Sequence, residues 1–127
     1  MIQGIGLDIV EVERIRKILM RRREKFLGRI FAENEIAYAF RKRSPEIHLA
    51  ARFAAKEAFL KALGIGMGRG VSMKEIAVVL GRLGNPMLEL SGKAEKVARE
   101  MKINAIHVSL SHTAFYAIAL VIAERGK

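Results

Sequence analysis

Asp8, Glu57 and Lys61 are the side chains of this sequence best placed to do chemistry. Asp8 lies in a stretch, residues 2 to 9, that alternates as a half-buried strand does, with Ile5, Leu7 and Ile9 on one face and Gly4, Gly6 and Asp8 on the other. Glycine neighbours leave space for something other than the chain's own packing to lie against that face. The ordinary account is that they admit a close backbone, while Asp8 ends the strand or caps the helix that begins near Glu11. Glu57 and Lys61 stand one helical turn apart on a face shared with Ala50 and Ala54, which are too small to cover them. Their ordinary account is a solvent-side salt bridge worth ~0.2–0.5 kcal/mol. Against it, Arg52 and Lys56 occupy a separate face and leave little circumference for solvent. Should Asp8 and Glu57 meet, two hard oxygen ligands suit Mg²⁺, which keeps several waters and completes its shell with substrate phosphates. No His or Cys cluster offers a transition metal. Lys61 would then neutralise charge on a transferred or departing phosphate, so phosphoryl chemistry is the inference.

The elements that must position these residues can be read from periodicity. A strand over residues 2 to 9 is followed by an amphipathic, strongly basic helix from Glu11 to about Gly28. A shorter helix is expected near Glu33 to Arg41, stopped by Ser44-Pro45. Glu46 to Leu63 reads as an inner helix, with stripes at Ala51, Ala55, Ala58 and Ala62 and at Leu49, Phe53 and Leu60, ended by Gly64 as a left-handed cap. The glycine-rich run Gly64 to Gly70 closes a helix, whereas a phosphate loop follows a strand and opens one, so it reads as a cap and connection. Strands at Ile76 to Leu80 and Met87 to Leu90 flank the turn Gly84-Asn85-Pro86, and Ser91 caps a helix through about Met101. A hairpin of Ala105 to Ser111 and Phe115 to Ala123 closes the chain. Irregular interleaving with an antiparallel pair at the end makes the expected class α+β, with a mainly antiparallel sheet and a long inner helix.

A chain of 127 residues fits one domain, residues 1–127, with a core of its own. Without cysteine there is no disulfide framework and no thiolate metal site, and the cytoplasm is the expected compartment. The start lacks the pattern of a signal peptide, and the longest apolar run, Ala114 to Ala123, is about half the ~20 residues of a membrane helix. Lys and Arg number 23 against 13 Asp and Glu, a formal charge of +10 that calls for an acidic partner. The basic residues from Arg14 to Arg29 make a nucleic-acid-binding domain the main alternative of another class. Few aromatics, no interleaved stacking residues and no helix-turn-helix argue against it. A membrane-surface helix is likewise opposed, because Ile15, Ile18 and Leu19 are as easily used in the protein's own core.

Four motifs in order carry a resemblance. They are Gly4-Ile5-Gly6-Leu7-Asp8-Ile9-Val10; Ile30-Phe31 with Glu35; Arg52-Phe53-Ala54-Ala55-Lys56-Glu57-Ala58 with Lys61; and His107-Val108-Ser109-Leu110-Ser111-His112-Thr113. With them the sequence resembles, over nearly its whole length, the holo-acyl-carrier-protein synthases of the 4′-phosphopantetheinyl transferase superfamily. The resemblance implies that superfamily's fold and transfer of 4′-phosphopantetheine from coenzyme A to a serine of an apo acyl carrier protein, in support of fatty acid biosynthesis. It implies that Asp8 and Glu57 bind Mg²⁺, that Glu57 or a water it orients is the base, and that Lys61 contacts phosphate. It further places Arg52, His112, the Gly84-Asn85-Pro86 turn and the loop at Gly64 near the nucleotide. His112 also has a local account, bonding to backbone in a tight Ser-His-Thr turn. His48 and His107 receive no role. The basic helix becomes the docking surface for an acidic carrier helix through Arg14, Arg21, Arg22 and Phe26, and a homotrimer with active sites between subunits is expected.

Overall fold

Helix α3 (Pro45–Leu63) is the centre of the molecule, and its sequence explains why. Proline stands in its first turn, where a missing N–H costs nothing, and Gly64 ends it at φ 69°, a left-handed cap whose N–H reaches the Lys61 carbonyl at 3.0 Å. Leu49, Ala50, Ala51, Ala54, Ala55, Ala58, Phe59, Leu60, Ala62 and Leu63 are all buried, as befits an inner helix. It lies across an antiparallel sheet of β1 (Ile2–Glu11), β5 (Tyr116–Arg125) and β4 (Ile103–His112), in the order β1-β5-β4. In the register of that sheet, Leu7 faces Leu120 and Leu120 faces Ser109. This computed structural model describes residues 1–66 and 69–126. Met67 and Gly68 of the expected glycine-rich connection lie outside them.

Around α3 are packed α1 (Val12–Ile30), α2 (Glu33–Phe40), and a ribbon of β2 (Ile76–Leu80) and β3 (Pro86–Leu90) entered through a 3-10 turn (Met73–Glu75). Helix α4 (Gly92–Glu100) follows. Ser91 stands at its N-cap but makes no side-chain bond there; Glu75 supplies the cap, its Oε2 accepting from the Lys93 N–H at 3.1 Å. Helix α1 is longer than expected and is broken at Arg22, whose φ of −141° and ψ of 43° are not helical.

Strand β1 decides between the two accounts of its glycines in favour of the close backbone. The face with Gly4 and Gly6 is not open, because the backbone of α3 lies on it. A Cβ at Gly6 would stand 1.7 Å from the Ala58 carbonyl oxygen, and one at Gly4 would stand 1.8 Å from that of Ala62. The glycines let a helix approach a strand more closely than any side chain allows. It is the other face, with Ile5, Leu7 and Ile9 at 58%, 59% and 60% exposure, that is left open among the described residues. Ile118 and Tyr116 of β5 continue this exposed apolar surface.

Candidate active site

Asp8 and Glu57 meet because β1 and α3 are in backbone contact. Asp8 follows Gly6 on the face turned to the helix, and Glu57 precedes Ala58, against which Gly6 is seated. Asp8 neither ends β1 nor caps α1: the strand runs on to Glu11, which holds the N-cap position without a side-chain bond. Lys61 is bound differently from the i,i+4 expectation. Its Nζ donates to Asp8 Oδ1 at 2.9 Å and to the Leu7 carbonyl at 3.0 Å, stitching helix to strand instead of pairing with Glu57. Glu57 is half-buried, and its carboxyl is held above the usual range by burial first and by the neighbouring Asp8 charge second. Lys61 and Arg14 oppose that shift. The result is two carboxylates in each other's field with cations beside them, a donor set that fits a hard divalent ion. Among the described residues no group of three or more His, Cys, Asp or Glu stands ready to hold a metal, so such an ion would need oxygens from water or substrate.

A second locus lies on another side of α3. A cavity of about 270 Å³ is lined by Tyr38, His48, Arg52, Val78, Pro86 and His112, with Gly84 at its rim. This gathers Arg52, Pro86 and His112 as expected, but Asp8, Glu57 and Lys61 are not among its walls, and neither are Asn85 and Gly64. Asn85 closes the β2–β3 turn, its carbonyl accepting the Gly81 N–H at 2.7 Å. Arg52 and Lys56, expected on their own side-chain face of the helix, are inside the protein at 4% and 0% exposure. The Arg52 guanidinium stacks on Tyr38 with its Cζ 4.1 Å from the ring centroid, and its Nε is buried with no hydrogen-bond partner among the described residues. Burial pulls the affinity of Arg52 for its proton down, with Glu35 and Tyr38 opposing. Such a buried, unsatisfied donor points to a missing acceptor.

His112 does not bond to its own turn. Thr113 closes the turn instead, its Oγ1 accepting from the Phe115 and Tyr116 N–H groups at 3.1 Å, while His112 stacks edge-on against His48 at 5.8 Å between centroids. His48, to which the sequence assigned nothing, is therefore a cavity residue. Burial first, then the charges of Arg52, His112 and Lys42, push its pKa down, which favours the neutral ring, able both to donate and to accept. Tyr38 was also missed. Both positions sit outside the quoted motifs, and only contacts between α2, α3 and β4 bring them to the cavity.

On α1, Arg21, Arg22 and Phe26 line one groove of about 510 Å³ with Ile18, Lys25, Arg29 and Ile30, which combines apolar and basic side chains. The break at Arg22 lies within this stretch. Arg14 is not in the groove; its charge acts on Glu57. Three of the four expected partner contacts thus share a surface, and the fourth lies beside the acid pair.

The model of the 4′-phosphopantetheinyl transferase superfamily matches residues 4–121. The holo-[acyl-carrier-protein] synthase of Syntrophus aciditrophicus is 47% identical over 124 residues, covering 98% of this chain and 97% of that one. Among solved structures, the holo-[acyl-carrier-protein] synthase of Neisseria meningitidis superposes with a TM-score of 0.90 at 36% identity, covering 98% of this chain and 100% of its own. That of Bacillus anthracis, in complex with CoA (3′,5′-ADP), has a TM-score of 0.81 at 38% identity and covers 99% of each chain.

Proposed function

The chain belongs to the 4′-phosphopantetheinyl transferase superfamily, among its holo-[acyl-carrier-protein] synthases, and on that premise we propose how its residues do the work of a transferase. The reaction moves 4′-phosphopantetheine from coenzyme A to a serine of an apo acyl carrier protein and releases adenosine 3′,5′-bisphosphate. One domain, residues 1–127, carries it out in the cytoplasm, in support of fatty acid biosynthesis. The observation that carries the reading is the juxtaposition of Asp8 and Glu57 with the Lys61 ammonium 2.9 Å from Asp8 Oδ1.

Asp8 and Glu57 would hold Mg²⁺, the ion that suits two hard, mutually repelling carboxylates. When bound, it supplies neutralising charge to the coenzyme A pyrophosphate. The chain's own residues do the rest. Glu57, whose raised proton affinity suits it to act as a base, accepts the proton of the carrier serine directly or through a water it orients. The serine oxygen forms its bond to phosphorus as the phosphoanhydride bond to the nucleotide breaks. Lys61, half-exposed on its flexible stem, neutralises the departing phosphate. Arg52 and His112 with Pro86 receive the nucleotide in their cavity.

Arg14, Arg21, Arg22 and Phe26 receive the acidic carrier protein. The basic side chains of the groove steer it in, and the apolar ones take an apolar side chain. The nucleic-acid alternative finds no support among the relatives. Among the described residues no helix is long and apolar enough to cross a membrane. A homotrimer accounts for two features at once. It covers the exposed apolar sheet face, and it allows the nucleotide cavity of one subunit to meet the acid pair of the next, which a single chain keeps apart.

The test is direct. Purified protein with Mg²⁺, coenzyme A and apo carrier should add one phosphopantetheine to the carrier by mass spectrometry. Asp8→Ala and Glu57→Ala should each abolish transfer while remaining folded. Wild-type activity in either variant removes the acid pair from the mechanism.

A further inference from the structure

One buried ion pair takes no part in the chemistry above, yet it joins three of the elements that build the nucleotide cavity, α2, α3 and β2. Glu35 and Lys56 are both at 0% exposure. Glu35 Oε1 accepts from Lys56 Nζ at 2.7 Å and from the Ala32 N–H at 2.9 Å, and its Oε2 accepts from the Val78 N–H at 2.9 Å. The Lys56 ammonium also donates to the carbonyls of Met73 at 3.1 Å and Ile76 at 2.6 Å. Every ammonium proton and both carboxylate oxygens are engaged. Burying such a pair is a poor way to gain stability, since well-packed apolar side chains of similar volume serve as well or better. Its placement offers another reason for it.

The three elements joined by the pair are three walls of the cavity. Tyr38 lies one turn beyond Glu35 on α2, Arg52 lies one turn before Lys56 on α3, and Val78 of β2 is itself a donor to Glu35. The charges are distributed to a purpose as well. Two buried cations, Lys56 and Arg52, stand near one buried carboxylate, and Lys56 takes it. Arg52 is left with no ion pair among the described residues, its Nε unpartnered. We propose that the Glu35–Lys56 pair is a positioning device for coenzyme A. It sets the spacing of Tyr38, Arg52 and Val78 and engages Glu35, the one buried carboxylate among the described residues, so that Arg52 lines the cavity without an ion pair of its own and is left for an anionic group of the ligand. The inference rests on the transferase reading and adds to it two residues that touch neither substrate nor metal.

The experiment uses the full chain with Mg²⁺. Glu35→Gln with Lys56→Met replaces the pair by neutral side chains of similar size, which avoids stranding a buried charge. Glu35→Gln alone keeps the side-chain volume and the Lys56 bonds to carbonyls, and serves if the double variant does not fold. Coenzyme A affinity is read by calorimetry, and KM for coenzyme A, KM for the carrier and kcat by steady-state kinetics. The expected result is a cooperatively folded variant whose Kd and KM for coenzyme A rise ~tenfold or more, with the carrier KM and kcat changed less than ~threefold. A folded variant with wild-type coenzyme A affinity overturns the proposal, whatever its Tm, and assigns the pair to stability alone. A fall in kcat at unchanged KM also overturns it, placing the effect on Glu57. Wild-type protein that binds no coenzyme A would overturn the functional reading itself, which separates the two failures.

Discussion

The close seat of β1 on α3 makes a quantitative prediction for Gly6→Ala. The added methyl would stand 1.7 Å from the Ala58 carbonyl oxygen, whereas ordinary contact begins at 3.4 Å. The obstacle is helix backbone, so it cannot swing aside as a side chain would; strand and helix must separate by roughly 1–2 Å at this point. Overpacking of this kind costs about 1–3 kcal/mol, and the upper end applies where backbone must move, which for a domain of this size lowers Tm by roughly 10 °C. The strain reaches the chemistry because Asp8 is the next residue on the same face of β1 and Glu57 is adjacent to Ala58. A displacement of about 1 Å at a reacting centre costs roughly 10²-fold in rate. Transfer to apo carrier, followed by mass spectrometry, should therefore fall about 10²-fold under conditions where calorimetry finds the variant folded. Gly4→Ala, facing Ala62 at 1.8 Å but further from Asp8, should lose similar stability with a smaller loss of rate. Gly6→Ala with unchanged Tm and rate would refute the argument that this contact sets the acid pair.

Three further outcomes follow from the same geometry. Glu57 holds its proton above the ordinary value of 4.5, so the folded protein binds more protons than the unfolded chain between that value and the raised one, and stability falls as pH rises through this window. Glu57→Gln should accordingly raise Tm of metal-free protein at neutral pH and flatten its pH slope, and Mg²⁺ affinity by calorimetry should weaken as pH drops through the raised value of wild type. Reversing charge on the groove, with Arg21→Glu and Arg22→Glu together, should raise the carrier KM by ~tenfold or more and reduce its dependence on salt, while coenzyme A affinity stays at the wild-type level. Leu7→Asp, on the exposed face of β1, should convert a trimer to monomers in sedimentation velocity and abolish transfer with it.

The amino-acid sequence by itself determined most of the elements. Alternation in β1, the alanine stripes of α3, its Gly64 cap and the terminal hairpin all lie where periodicity put them, because hydrophobic spacing and left-handed glycines act within a few residues. The acids Asp8 and Glu57 were singled out by the ordered family motifs; spacing alone left the ordinary account of each standing. Only the tertiary structure decided which face of each element is inside. On β1 the glycine face is buried and the isoleucine face is outside, the reverse of what hydropathy favours, because a helix backbone needs the glycines' space. Lys61 pairs with Asp8 across 53 positions of sequence, and Lys56 goes to the interior to meet Glu35, 21 positions away. Charges on a helix carry no periodic label saying which will find a buried partner. That depends on where a distant carboxylate, two carbonyls and two amide N–H groups converge, and such convergence exists only once the chain has folded.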